Sequence, residues 1–583
     1  MSTLRNFAIG TNSMIETDLL IIGAGPAGAS LACFLASYGK NGLVISAAPG
    51  TANTPRAHMH NQAALQCIRN VDIGLWEECE RLGQRGSSIM HYRCDYDLAS
   101  PCNPMDLPQT LLEPIHVKYA TANGFKVRFD TQLLSFAEDT VSGKIFCHVK
   151  DRATGAEYYI TTKYLFGADG GQSIVAQQLG LPFTVLPGGG IAYNILVRAD
   201  LSHLMNSRPG NLHWNLRLAR DYPFMCVGRM VKPWYEWLFV IFPKGPDCTI
   251  DDRTNGQWGE VVEDMIDDNT VKVQVLGVSK WVINETSADT ISRGNVFCLG
   301  DAIHRHPPTL GLGSNTCIQD SFNLAWKINL VMDGAASPGL LETYNIERQP
   351  IAAQLVKASN DMLRKHILVW QTVGVLPPGH TLEERLAGIT ELRENSEKGR
   401  ARRKLLKERQ QDLYHETGAL GLEMGQLYHS HAVYVGDEPG PYLPSGKEAD
   451  NPVLFYDANT YPGRRLPHVW LNTALPKKLV STVDIAGKGR FCLFTGIGGE
   501  SWKVAAAAVS ESLKVPIGVV GIGFGQDWED PYHAWADKRG VEEDGAVLVR
   551  PDLFVAWRAE SSGSEEECAS KLQEVMKRIL YLK

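Results

Sequence analysis

The stretch that decides the fold is DLLIIGAGPAG, residues 18–28. Its apolar half, 18–22, reads as a short buried strand of a parallel sheet that ends in glycine. Pro26 stands where a helix can begin, because a first turn needs no N–H from proline. The following AGASLACFLASYG has helical character and stops at Gly39, and residues 43–46 (LVIS) read as the next parallel strand. Strand, glycine turn, helix and strand make one βαβ unit. In such a unit Gly23 allows the tight turn, Gly25 lets backbone approach a pyrophosphate, and Gly28 lets the helix lie close on the strand. The helix N-terminus, with Pro26 and Ala27 in its first turn, offers free N–H groups and a partial positive charge to phosphates. An acidic residue usually ends the second strand and holds ribose hydroxyls. Ser46 takes that place, and no Asp or Glu follows nearby.

Two further clusters each follow an apolar strand. One is Gly167-Ala168-Asp169-Gly170-Gly171, with Ser173 beyond it. The other is Gly300-Asp301-Ala302, then His304, Pro307-Pro308, Gly311-Leu312-Gly313, Ser314 and Asn315. A lone Asp-Gly pair is usually only a turn, but three clusters in this order are far more specific. The Asp301 carboxylate can accept hydrogen bonds from a polyol. Gly311 and Gly313 leave backbone N–H groups free to meet a ring edge, and a helix from Ser314 points its positive end the same way.

The chain is too long, at 583 residues, for a single core. Hydrophobic residues at 44% and charged residues at 21% are those of a soluble globular protein. A net charge of -8 argues against nucleic acid or an anionic membrane as partner. No apolar run has signal-peptide or membrane length, so a cytoplasmic protein is expected. The 12 cysteines form no CxxC pair, which points to buried free thiols.

Residues 107–123 read as an amphipathic helix, 144–162 as a strand pair turned at Thr154-Gly155, and 163–168 as a buried strand. Between about 187 and 290, alternating strands rich in Trp, Tyr and Val suggest an inserted sheet. A buried strand returns at 294–300, followed by helices over 314–332 and 339–366. The basic run KGRARRKLLKERQQ within 382–412 reads as a solvated helix face. Pro and Gly clusters from about 440 mark a boundary. The expected division is 15–186 plus 287–366, 187–286, 367–439 and 440–583.

GAGPAG, GADGG and GDAIHRHPP resemble the three flavin motifs of group A flavin-dependent monooxygenases. TANTPRAHMHNQ, DLPQTLLEPI, HPPTLGLGSNTCIQDSFNLAWKI and YPGRRLPHVWL resemble the phenol hydroxylase branch, and bacterial chlorophenol monooxygenases within it. The likeness covers nearly the whole chain. It implies an α/β fold with a split Rossmann-type FAD-binding domain of the p-hydroxybenzoate hydroxylase kind. An inserted β-sheet substrate domain and a C-terminal thioredoxin-like domain would complete it. It also implies FAD, NADPH or NADH, molecular oxygen, a small aromatic substrate and a homodimer. A flavin C4a-hydroperoxide would pass OH to a phenol, and a base near the phenol oxygen is expected.

By the same resemblance Gly23, Gly25, Gly28 and Asp301 bind FAD, with Pro26, Ala27, Ser46, Leu134, Pro308 and Ser314 alongside. Asp169 falls where the FAD and NADPH sites meet. Arg56 matches a loop arginine that contacts flavin or pyrophosphate, and Gln109 a glutamine near the flavin chain. Pro307 lies near the reacting face, with Gly311, Leu312, Gly313 and Asn315 around the ring. His58, on the Arg56 loop, is the candidate base, since a neutral histidine near pH 7 can take a phenolic proton. His213, Tyr235 and Leu310 are candidates to face the substrate. The pair His304 and His306 is too small a ligand set for a metal, and none is expected. Two positions depart from the family: Gln172 replaces the usual Arg of the middle motif, and Leu310 replaces the Asn of chlorophenol enzymes. The C-terminal part has Cys492 alone in RFCLF, so a structural or dimer-forming role is expected there, and no redox role. Baeyer-Villiger or epoxidising chemistry on a polyketide-type aromatic or quinone stays open, as does an FAD-dependent reductase.

Overall fold

The computed structural model describes residues 14–85, 96–139, 141–207, 209–218, 225–243, 252–376 and 379–583. The chain opens with β1 (Ile15–Ile22), α1 (Pro26–Ser37) and β2 (Gly42–Ile45), as the opening stretch requires. A short β3 (Met105–Asp106), α2 (Gln109–Ala122) and β4 (Phe125–Arg128) follow. Next come β5 (Thr131–Glu138), β6 (Ile145–Asp151), β7 (Glu157–Gly167) and α3 (Ile174–Leu179). The inserted sheet brings β8 (Phe183–Arg198), β9 (Leu212–Asn215), β10 (Met225–Lys232), β11 (Glu236–Phe242), α4 (Asn255–Ile266) and β12 (Gln274–Ala288). The chain then returns through β13 (Val296–Cys298), β14 (His304–Arg305), α5 (Gly313–Met332) and α6 (Glu342–Thr372).

Strands β13, β7, β1, β2 and β4 lie side by side in that order, all parallel. Helix α1 is built from small residues and is buried from Ala27 to Ala36, which lets it lie flat between this sheet and α5. The fit leaves no room for side chains in the turn. A Cβ on Gly28 would stand 2.0 Å from the Gly23 carbonyl oxygen, and one on Gly23 2.1 Å from that of Ala168.

The inserted sheet has the order β9-β10-β11-β8-β12-β14. Period-2 alternation gives it two faces. Tyr193, Ile195, Val197, Trp237, Phe239 and Ile241 pack with Trp258, Val261 and Met265 of α4. Leu196, Leu238, Val227 and Arg229 alternate with them and point the other way. Strands β8 and β12 extend across the expected boundaries at 186 and 286, pairing from Phe183–Ala288 to Leu186–Glu285 and again from Gly190–Ile283 after an irregularity. The insertion is therefore carried on a two-stranded ribbon. Helix α6 likewise runs past 366 to Thr372.

The basic run falls on α8 (Glu397–Asp412), after α7 (Leu382–Arg393). Its arginines do more than meet water. Arg402 donates to the Thr372 carbonyl at 3.0 Å, Arg409 to that of Leu368 at 2.7 Å, and Arg403 to those of Leu392 and Glu394 at 2.8 Å each. They bond carbonyls at and beside the C-terminal turns of α6 and α7, where cations are favoured.

The C-terminal part contains β15 (Phe491–Thr495), α9 (Glu500–Leu513), β16 (Ile517–Gly521), β17 (Ala546–Val549), β18 (Val555–Ala559) and α10 (Glu565–Ile579). Its strand order is β16-β15-β17-β18, with the first pair parallel and the others antiparallel, a thioredoxin-type arrangement. Cys492 lies buried on β15, and burial pushes its thiol up to about 12. The unit is tied in before residue 440: Tyr428 donates to Gly463 and Tyr434 to Ala556 through backbone. No helix among the described residues is long and apolar enough to cross a membrane.

A fully buried ionic cluster joins this unit to the rest. Glu347 of α6 accepts from Arg550 at 2.5 and 2.9 Å, from Lys327 and Asn323 of α5 at 2.7 Å each, and from Ser430 at 2.6 Å. Arg550 also pairs with Asp552. Desolvating these charges is costly, so the cluster stabilises only while every member is matched. Glu347→Ala leaves Arg550 and Lys327 without their shared partner and is expected to lower unfolding stability by about 3–5 kcal/mol. Urea titration of the purified variant measures this; a loss below about 1 kcal/mol would show that the cluster does not hold the C-terminal unit in place.

Candidate active site

The three glycine motifs meet in space. Gly23 abuts Ala168, Gly300 comes within 2.9 Å (as a Cβ) of the Ala27 side chain, and Gly167 within 3.1 Å of Cys298 Sγ. Gly25 caps α1 without a side-chain bond, and a Cβ added there would find only Glu113 Oε1, 3.9 Å away. An uncapped helix N-terminus beside open space fits a pyrophosphate. Glu113, buried, accepts from Ala52 N–H at 2.6 Å and Gln109 Nε2 at 2.5 Å. It fastens the loop after β2 to α2 and leaves Arg56 exposed on that loop. Burial pushes the Glu113 carboxyl up, against its hydrogen bonds and nearby Arg56.

Ser46 is buried at the end of β2. Its hydroxyl accepts from Ala48 N–H at 3.3 Å and shapes the turn. Leu134 is half-buried on β5, and its carbonyl takes Gln178 Nε2 at 3.0 Å. Asp169 spends both carboxylate oxygens on α3, taking Ser173 Oγ at 2.5 Å and Val175 N–H at 3.2 Å. Burial raises its carboxyl. Gln172 is exposed, and an arginine reaches this loop from elsewhere: Arg305 Nη1 donates to the Gly171 carbonyl at 2.6 Å. Asp301 is exposed in a single 3-10 turn, free to meet a polyol.

At the far end, Pro307 is buried, Pro308 is exposed, and α5 begins without a side-chain cap after Leu312. Its free N–H groups, near Gly313 and Ser314, face the same region. Asn315 staples two loops together. Its Nδ2 donates to the Met59 carbonyl at 2.9 Å and to that of Gly311 at 2.5 Å, while its Oδ1 accepts from Asn61 N–H at 3.0 Å. Asn315 therefore positions the ring-side loops through its side chain, while its backbone N–H stays among the first-turn donors of α5. The Leu310 side chain packs into an apolar cluster with Leu312, Ile351 and Leu355, so it sits in the core and not against a substrate. His306 donates Nδ1–H to the Pro307 carbonyl at 2.7 Å, and burial lowers it to about 4.

His58 is buried where the nucleotide domain meets the inserted sheet. Its Nδ1 lies 3.3 Å from Asp106 Oδ1 and its Nε2 3.0 Å from the Pro55 carbonyl. Asp106 also takes Asn211 Nδ2 at 3.0 Å and Arg229 Nη2 at 3.2 Å. Burial alone would raise Asp106, but the His58 hydrogen bond and Arg229 outweigh it and hold the carboxyl at about 2. Burial, and then Arg229, lower His58 below its usual 6.5.

The structure does not bring the other two sheet candidates here. His213 points to the α4 side, its ring 5.9 Å from Trp237, and bonds the Gly210 carbonyl. Tyr235 is exposed in the hairpin between β10 and β11. Trp237 is core, and Trp214 packs at a tilt against Trp370 and His366. Asp106, Asn211, Arg229 and Glu113 escaped the sequence reading, and His306 entered it only as half of a metal pair. Only Asp106 carried a signal, a single charge between Met105 and Leu107 in an apolar setting.

Comparison with known proteins agrees with this geometry. The FAD binding domain family matches residues 16–359, and the aromatic-ring hydroxylase C-terminal family matches 459–580. A 2,4-dichlorophenol 6-monooxygenase of Cupriavidus pinatubonensis is 39% identical over 97% of this chain and 96% of its own. A phenol 2-monooxygenase of a Pseudomonas species is 39% identical over 96% of this chain and 92% of its own. The flavin-dependent monooxygenase PieE, solved with FAD and substrate, superposes with a TM-score of 0.90 at 35% identity, covering 98% of this chain and all of that one. With an FAD-binding half that closes around its three motifs and a matching C-terminal unit, the chain belongs to the FAD-dependent aromatic-ring hydroxylases.

Proposed function

We propose that this chain hydroxylates a phenolic ring, consuming one molecule of oxygen and one of NADPH or NADH and releasing water with the second oxygen atom. Bound FAD supplies the oxygen activation, with electrons from the nicotinamide. The observation that carries the reading is the buried His58–Asp106–Arg229–Asn211 assembly, set between the ring-side loops and the inserted sheet. A phenol is attacked more readily by an electrophilic oxygen once its hydroxyl is deprotonated, so a proton acceptor with a fixed orientation is what the chemistry needs. The names of the curated relatives, which act on phenol and dichlorophenol, support the same substrate class.

Asp106 is ionised and can only accept, so it takes the Nδ1 proton of neutral His58. With Nδ1–H given to Asp106, Nε2 is the nitrogen that gains or loses a proton, and when protonated it donates to the Pro55 carbonyl at 3.0 Å. His58 can take the phenolic proton on Nε2 when the substrate hydroxyl displaces that contact. Arg229 holds Asp106 charged, and the Leu196 and Leu238 face of the sheet offers an apolar wall beside it. Gly23, Gly25, Gly28, Arg56 and Asp301 hold the cofactor in this reading, and Pro307 borders the reacting face. The protein is taken as a cytoplasmic homodimer, which light scattering of the purified enzyme checks.

With phenol and 2,4-dichlorophenol, substrate-stimulated NADPH oxidation is expected to yield a catechol carrying one labelled atom from oxygen-18 gas. Ring-cleaved or lactone products would favour oxygen insertion beside a carbonyl, and turnover without oxygen would defeat the monooxygenase reading. His58→Ala is expected to keep FAD and to lose activity by about 10²-fold or more. The wild-type rate falls as pH drops below the histidine range and His58 becomes protonated; the variant loses that limb. An unchanged pH profile removes His58 from the proton step.

A further inference from the structure

The loop that follows Pro307 depends on a carboxylate far away in sequence. Leu310 sits at φ 63°, ψ -3°, in the left-handed region. That conformation costs a leucine roughly a factor of five to thirty relative to glycine, so something outside the loop must hold it. Leu310 N–H donates to Glu416 Oε1 at 2.9 Å, and Thr309 Oγ1 donates to the Ser359 carbonyl at 2.6 Å. The second carboxylate oxygen, Glu416 Oε2, accepts from His366 Nε2 at 3.1 Å. The His366 ring lies 4.8 Å from that of Trp214, on edge strand β9 of the inserted sheet. Glu416 itself stands in a 3-10 turn, Leu413–Thr417, outside both domains it connects.

We propose that Glu416 is a positioning residue: one oxygen holds the Leu310 peptide in the shape that receives the flavin ring, and the other ties that shape, through His366 and Trp214, to the substrate sheet. This rests on the reading of 307–313 as the ring-side loop. It predicts an interaction between positions 416 and 310, because glycine at 310 needs no outside support to adopt a positive φ.

The test is a double-mutant cycle on the full-length holoenzyme with Glu416→Ala, Leu310→Gly and both together. The FAD dissociation constant and the flavin visible spectrum are read first, then product formed per NADPH oxidised with phenol and 2,4-dichlorophenol. Glu416→Ala is expected to weaken FAD binding by about tenfold and to lower the coupling of NADPH oxidation to product. In the Leu310→Gly background the same change is expected to cost about threefold or less. An equal loss in both backgrounds overturns the proposal, as does a Glu416→Ala enzyme within about twofold of wild type on both readouts. If Glu416→Ala does not fold, Glu416→Leu, which keeps volume and removes both acceptor oxygens, is read in the same two backgrounds by the same criteria. If the wild type hydroxylates neither phenol, the substrate reading fails, while the FAD measurements still decide the role of Glu416.

Discussion

Everything at the cofactor site follows from one close-packed turn: where β1 passes into α1, neither Gly23 in the turn nor Gly28 in the helix can hold a side chain. A Cβ at Gly28 would collide with the Gly23 carbonyl, and one at Gly23 with Ala168. That contact draws the first motif onto the second. The third is drawn in by Gly300, which meets Ala27 from the far side. Three segments separated by more than a hundred residues each thus form one edge, with an uncapped helix end at either extreme. One helix end suits phosphates and the other an electron-rich ring, by the same electrostatics.

Much of this was legible because it is local. A strand, a glycine turn and a helix leave a pattern that short windows carry, and the apolar strands before Asp169 and Asp301 repeat it. The inserted sheet was legible as a change of period. What short windows do not carry is which face a side chain takes. His213 and Arg229 sit on adjacent strands of the same sheet, yet alternation sends one toward α4 and the other toward Asp106. Nothing in the stretch around His213 states that parity, because it is set by a partner strand. The limit expected near 186 falls at an irregularity in the β8–β12 pairing, between Leu186 and Gly190, so the composition shift coincides with a bulge inside a long strand.

Several residues expected to meet the cofactor also organise the loops around it. Asn315 spends its amide on Met59, Gly311 and Asn61, and Asp169 spends its carboxylate on the start of α3. Motif residues are thus of two kinds, those whose polar groups remain free and those already consumed by the scaffold. Asp301 and the backbone of α1 belong to the first. The Leu310 departure also changes meaning in this light. It does not alter pocket polarity, because its side chain is in the core; its consequence lies in the backbone, where a β-carbon must be held at a positive φ.

The C-terminal unit has a thioredoxin-type sheet, but its chemistry is that of a brace. Its lone strand cysteine is buried, and burial holds the thiol protonated far above neutral pH. Its strongest link to the rest is the Arg550 guanidinium, which reaches Glu347 and, through it, Lys327 and Asn323 on α5. That helix begins at Gly313, at the ring end of the site. A buried ion pair is poor at adding stability compared with an apolar contact of equal size, yet it tolerates little displacement, since each charge loses its partner if it moves. Anchoring α5 in this way at mid-length, while Asn315 secures its first turn, fixes the helix at two points along its axis. A helix so held cannot slide or turn without breaking one anchor or the other, and the position of its N-terminal N–H groups relative to the Pro307 loop is set by that constraint.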